Sequence, residues 1–312
     1  MKTSGLWPVE RAAIECGGDN VGANERDTVK PESNSTTNWG GATWAGNVRW
    51  PDADEVLAYD LSVRLEPGMT HHVAHPPFSY TLVKKHAEHP YPAGISSAME
   101  LITMGAHVGT HVDAPGHISL NGCVFGGRDV LSGEQYYSGV AVGSVEELPP
   151  LMGPGHLVDG EVLFGRPLTN DDGFGADELE AWFSDHPAPA AGSIVVFRTG
   201  WMKFWNDHDR YLGLATGLPG VRLSGAKWLS ERGIRAAGGD TVNFEHKQFV
   251  PVVALDVHAH LLVEMGIPIM ESLDLERLAS DRVYDFFFSA APLRLGGGTG
   301  SPIRPLAFVP GH

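Results

Sequence analysis

Cysteine is nearly absent: 312 residues hold only Cys16 and Cys123, far apart and in dissimilar surroundings. Two such residues make no disulfide framework and fit a reducing compartment, so a cytoplasmic location is expected. Positive charge is also scarce. Lys and Arg number 22 against 38 Asp and Glu, a formal net charge of −16. That balance removes the basic patch needed to bind nucleic acid or an anionic membrane. No window approaches eighteen uninterrupted apolar residues, so no membrane span is expected. The opening Met1-Lys2-Thr3-Ser4-Gly5-Leu6-Trp7-Pro8 carries no continuous apolar stretch of the secretory kind. A Gly-x-Ser-x-Gly elbow is missing too, which argues against a serine hydrolase.

What remains reads as an ordinary globular α/β chain with one large core. Residues 1–50 form an expected N-terminal extension, rich in Gly, Asn, Ser and Thr. Its first 35 residues read as loosely ordered. The stretch 36–55, holding Trp39, Trp44 and Trp50, reads as packed. Residues 51–312 are expected to form a single domain. Strands are expected at Val56–Leu65, Ser138–Val145, Ser193–Arg198, Val250–Leu255 and Val283–Ala290. Ile194-Val195-Val196-Phe197 is apolar at every position, as in a strand covered on both faces. Helices are expected at Ala176–Ser184, Ser224–Glu231 (with Ser224 as cap), Ala259–Met265 and Leu273–Ala279.

The densest chemistry lies in His107-Val108-Gly109-Thr110-His111-Val112-Asp113-Ala114-Pro115-Gly116-His117. Three imidazoles and a carboxylate in eleven residues are costly to bury without a cation among them. Imidazole with carboxylate and no thiolate suits Zn, Mn or Fe. Gly109 and Pro115 make a helix through the segment unfavourable. A straight strand would separate residues 107 and 113 by roughly 20 Å, too far for one ion. The chain is therefore expected to turn at Gly109-Thr110 and bring His107, His111 and Asp113 together. Three protein ligands leave coordination positions open, the arrangement of a catalytic site. His117, beyond Pro115, is the odd one out and a candidate general acid/base.

This His-x-Gly-Thr-His-x-Asp-x-Pro-x-His string resembles the signature of the cyclase-like metal hydrolases, the family that includes bacterial kynurenine formamidase and isatin hydrolase. The resemblance runs from about Asp60 to Phe308, through Asp60-Leu61-Ser62, Phe197-Arg198-Thr199-Gly200-Trp201 and Gly300-Ser301-Pro302-Ile303-Arg304. It implies a swivelling β/β/α fold, a homo-oligomer (dimer or tetramer), divalent Zn²⁺ or Mn²⁺, and hydrolysis of an amide or lactam. It also implies that His107, His111 and Asp113 are metal ligands and His117 the catalytic acid/base. Family members with two ions add a second His and a Glu about twelve residues later. Here Glu271 follows His258 by thirteen residues and His260 by eleven. His258 is favoured, because paired leucines follow it at the family's distance, with His260 as its rival. Where the family commonly has small hydroxyl residues, this chain has Asn243, Glu245 and His246. These line a polar substrate pocket or form a solvated loop.

The implied reaction is C–N bond cleavage of an amide, lactam or aryl formamide by metal-activated water. Its rivals are a metal-dependent cyclase or dehydratase acting on a carbonyl substrate, and a metal-binding protein without catalysis. The expected partner is a small molecule, and Phe78, Trp201 and Asn243 are the residues expected to line its pocket.

Overall fold

The computed structural model describes residues 56–86, 88, 91–130, 139–248 and 255–311. The expected extension at 1–50, Cys16, and all but the last residue of the strand expected at 250–255 lie outside the described residues.

Among the described residues nine strands form one sheet: β1 (Val56–Asp60), β2 (His111–Asp113), β3 (Leu151–Asp159), β4 (Ile194–Arg198), β5 (Ala236–Gly239), β6 (Ile269–Glu271), β7 (Asp285–Ala290), β8 (Gly300–Pro302) and β9 (Leu306–Pro310). Their order is β1-β9-β7-β3-β4-β5-β6-β2-β8. The central pairs β3/β4, β4/β5 and β5/β6 are parallel, and the flanking pairs are antiparallel. The helices are α1 (Gly160–Phe164), α2 (Ala176–Asp185), α3 (His208–Leu212), α4 (Leu223–Glu231), α5 (Asp256–His258, continuing as a π turn over Ala259–Glu264) and α6 (Glu276–Ser280).

Strand β4 shows why its sequence is apolar throughout. Ile194 and Val196 enter one core with Val112, Leu157, Met270 and Phe288. Val195 and Phe197 enter a second with Leu179, Trp182, Leu229 and Leu261. Alternating side chains point to opposite faces, and both faces are covered. Helices α2, α4 and α5 cover the second face, so anything on that face of β6 and β2 looks toward α5.

Several expected elements differ. Strand β1 ends at Asp60, short of the expected Leu65, and α6 begins at Glu276 rather than Leu273. Residues 139–144 are irregular, because Gly139 and Gly143 adopt φ of +89° and +68°, and Val145–Glu147 is a 3₁₀ turn. The neighbouring strand is β3, whose Gly153-Pro154-Gly155 hides it in the sequence. Pro154 precedes Gly155, the first residue paired to β4, so no ladder N–H is required of it on that side. A Cβ on Gly155 would lie 2.3 Å from the Phe286 ring. Ser224 does not cap α4; Arg222 is the cap residue, and the Ser224 hydroxyl accepts from the Ala176 amide. Cys123 is fully buried and disulfide-bonded, which removes the support that the two cysteines gave to a reducing compartment. Among the described residues, no helix is long and apolar enough to cross a membrane.

The C-terminal end of β4 is tied to its surroundings by Arg198. Its buried guanidinium bonds Asp159 at 3.0 Å, Glu161 at 3.0 Å and Glu276 at 2.7 Å. Asp159 also caps α1 through the amides of Glu161 and Val162. Arg198→Met is expected to leave the Asp159 carboxylate buried without its cation. Because Glu161 and Glu276 are partly solvated, the loss should sit at the low end for a broken buried pair, about 3 kcal/mol. Denaturant unfolding of the variant against wild type measures it, and a change under 1 kcal/mol would exclude the pairing as a stabilising feature.

Candidate active site

Register builds the site before any side-chain detail. On β2, His111 and Asp113 share parity and point to the α5 side, while Val112 enters the opposite core. Strand β6 pairs with β2 so that Glu271 stands directly opposite His111. On the other side of β2, β8 places Gly300 opposite Asp113. A Cβ on Gly300 would lie 2.5 Å from His107 Cε1, so glycine there leaves room for the His107 ring.

The turn before β2 folds back at Gly109, whose φ of +69° is the left-handed conformation that glycine adopts without strain. Thr110 pins that turn: its hydroxyl donates to the Ser272 carbonyl at 2.6 Å and accepts the Val63 amide at 2.8 Å. His107 Nδ1 then lies 2.6 Å from Asp113 Oδ1. The expected meeting of His107, His111 and Asp113 is therefore present. Ser272, adjacent to Glu271, is itself held by Thr110, by the Thr241 carbonyl and by Tyr211 Oη.

Donor spacing distinguishes two kinds of contact. The 2.6 Å between His107 and Asp113 is a short hydrogen bond. By contrast, His111 Nε2 lies 3.4 Å from both Asp113 Oδ1 and Glu271 Oε2, and His258 Nε2 lies 3.2 Å from Glu271 Oε1 and 3.9 Å from Asp113 Oδ2. A metal–donor distance of about 2.1 Å sets neighbouring donors of a tetrahedral shell about 3.4 Å apart. His111 Nδ1 donates to the Gly109 carbonyl at 2.8 Å, which leaves Nε2 for the cluster. Among the described residues two donor groups result, His107–Asp113–His117 and His111–Asp113–Glu271, with Asp113 common to both. The donor set fits one or two divalent cations.

Electrostatics agree with a site prepared for positive charge. Burial opposes ionisation of Asp113, yet His117, His107 and His111 hold its carboxyl well below the usual range. Glu271 is raised, first by burial and then by the charge of Asp113. Burial pulls His111 and His258 down, but the carboxylates around them overcome it and hold them at about 9 and about 10. His117 behaves differently: burial lowers it to about 4 despite Asp113, so its imidazole is neutral at pH 7. Its ring stacks on His107 with centroids 3.9 Å apart.

Of the two rival histidines, only His258 faces the cluster. Two residues apart on a helix means about 200° of rotation. His260 accordingly turns away and bonds Ser230 at 2.9 Å and Glu264 at 2.6 Å. Two pocket expectations are corrected. Phe78 and Trp201 are buried in a separate core cluster with Val63, Met69 and Tyr211, and neither lines the cavity over the site. Asn243 does line it, with Val242, Ile118, Leu255, His72 and His75. The last two were missed, although His71-His72-Val73-Ala74-His75 stands out as a second histidine group. His75 stacks on His107 at 5.3 Å. His246 sits instead against the backbone of Asn170 and Asp171.

Known proteins resemble this chain over the same region. Residues 59–246 match the family model described as "Putative cyclase". An isatin hydrolase of Roseibium aggregatum is 28% identical over 222 residues, spanning 68% of this chain and 75% of that protein. A kynurenine formamidase of Bacillus thuringiensis subsp. konkukian is 27% identical over 256 residues, spanning 82% and 95%. The crystal structure of a novel cyclase superposes with a TM-score of 0.73 at 26% identity, covering 80% of this chain and 86% of that one. With its fold, its histidine run and most of its length matched, this chain belongs to the cyclase family.

Proposed function

We propose that this chain is a metal-dependent hydrolase that cleaves the C–N bond of an amide, lactam or aryl formamide. The observation that carries the reading is the convergence of His111, Asp113, Glu271 and His258 at metal-donor spacing, with a neutral His117 beside them. The names of the relatives, isatin hydrolase and kynurenine formamidase, support the bond type. The ligands are His111, Asp113, His258 and Glu271, with His107 joining them where its Nδ1 exchanges the 2.6 Å hydrogen bond to Asp113 for the ion, and the ion is Zn²⁺ or Mn²⁺, one or two per chain. Bound there, the ion would acidify water and polarise a carbonyl. His117 takes the proton of the attacking water and returns it to the leaving nitrogen. Asn243 orients the substrate: its Oδ1 and Nδ2 are both buried without hydrogen-bond partners among the described residues, one acceptor and one donor matching the N–H and C=O of an amide. The cavity of about 190 Å³ admits a small ring compound, since a cavity of ~150 Å³ already holds benzene.

The molecule works as a homo-oligomer of two or four copies in this reading. The hairpin of Ser79–Lys84 and Met99–Thr103 exposes Tyr80, Leu82, Val83, Met99, Leu101 and Ile102 to solvent. A lone two-stranded hairpin is marginal in water, and a second copy would cover it. Light scattering of the purified protein reads the mass directly.

The function is tested by metal analysis joined to an EDTA-reversible screen of lactams, cyclic imides and aryl formamides in ¹⁸O-water. One solvent oxygen in the acid product is expected, with activity restored by Zn²⁺ or Mn²⁺. Turnover without ¹⁸O would replace hydrolysis by elimination, and turnover unaffected by EDTA would remove the ion from the reaction.

A further inference from the structure

The loop joining β5 to α5 contains a second buried carboxylate next to the site. Glu245 is 3% exposed, on a loop whose preceding residue, Phe244, adopts φ of +57° and is itself buried. A bulky residue in that left-handed conformation is strained, and such strain clusters at functional sites. Glu245 Oε2 accepts the Val257 amide at 2.8 Å, in the first turn of α5. Among the described residues its Oε1 has no hydrogen-bond partner, and neither has His258 Nδ1, although both are buried. These two orphaned atoms face each other at 3.5 Å.

We infer that Glu245 is a positioning residue: its Oε1 accepts the Nδ1–H of His258 and so aims the Nε2 lone pair at Glu271 and Asp113. This rests on His258 being a metal ligand, as proposed above. An imidazole that binds an ion through one nitrogen carries its proton on the other, and an acceptor there fixes the tautomer and the ring plane. A carboxylate is required because two N–H donors, from Val257 and His258, converge on this side chain. Its two oxygens satisfy both. A glutamine has one acceptor, so its NH₂ would confront either the Val257 amide or His258 Nδ1–H. In the second case the favoured His258 tautomer reverses, and a proton occupies the Nε2 position that an ion needs.

The test compares Zn²⁺ affinity of wild type and Glu245→Gln by chelator competition, with no substrate involved. The variant should bind Zn²⁺ about 10–100-fold more weakly, the range for partners that orient a ligating histidine. Should Glu245→Gln fail to fold, long-range ¹H–¹⁵N spectra of Zn²⁺-loaded wild type decide instead. They should show His258 carrying a downfield, exchange-protected Nδ1–H, a signal that a purely structural Glu245 would not produce. Equal Zn²⁺ affinity in the two proteins, or a His258 Nδ1–H exchanging as in a solvent-exposed ring, overturns the inference. No Zn²⁺ binding by wild type overturns the metal reading itself and this inference with it.

Discussion

Asp113→Asn is expected to remove the metal ion and catalysis together while leaving the fold intact. Asp113 is the one residue common to both donor groups, and its oxygens lie 2.6 Å from His107, 3.4 Å from His111 and 3.9 Å from His258. Groups that merely orient a ligand are worth 10–100-fold in metal affinity, so losing the shared ligand should exceed about 100-fold. Asparagine preserves the volume and one acceptor but removes the negative charge that lets two imidazoles and a second carboxylate crowd around a cation. The fold should survive because the charge is not wholly favourable to it. Glu271 is raised partly by the Asp113 charge, so removing that charge eases ionisation of Glu271 and offsets the lost partner of His107. Elemental analysis, circular dichroism and turnover are measured on one preparation. A variant that keeps the full metal content and wild-type kcat would exclude Asp113 as a ligand.

How much of this was legible in the sequence depends on how local the cause is. The turn at Gly109-Thr110 was legible, because ligand types that must meet cannot do so along a straight strand, and glycine marks where the chain reverses. Strand β4 was legible because both its faces are buried, which makes every position apolar. Strand β3 was not, since Gly155 answers to the Phe286 ring and Pro154 to the place where β4 pairing begins. Neither cause is local.

The same division runs through the site. Spacing to Glu271 left His258 and His260 as rivals, because the sequence pattern does not reveal that a single α turn passes into a π turn after His258. Only the packed helix assigns one face to the cluster and the other to Ser230 and Glu264. Phe78 and Trp201 look like pocket aromatics in the sequence, yet both are buried in a core cluster apart from the site, and large apolar surface is more often buried among its like than shown to a ligand. Glu245 read equally well as a solvated loop residue. What separates the readings is burial beside His258, a fact about residues twelve and thirteen positions further on.

The other large effect belongs to His117. Substitution by alanine should lower kcat by 10²–10⁴-fold, the usual contribution of a positioned acid/base, and should leave metal content within a factor of two. Burial, the leading cause, lowers this imidazole to about 4. Working as a base, it is competent above that value and lost as pH falls through it, so kcat/KM should hold across neutral pH and fall on an acid limb near 4. His117→Ala should erase this group's contribution to the limb, and added imidazole should restore part of the rate by replacing the missing proton carrier. The competing role is as a ligand, since His117 belongs to the donor group with His107 and Asp113. The two roles separate on metal content. A ligand lost should cost the ion, whereas a proton carrier lost should cost only the rate. The stacked geometry favours the carrier: His107 Nδ1 already lies 2.6 Å from Asp113, and the His117 ring lies face to face with the His107 ring. Full turnover in His117→Ala with the ion retained would leave proton transfer to solvent alone and exclude His117 from the chemistry.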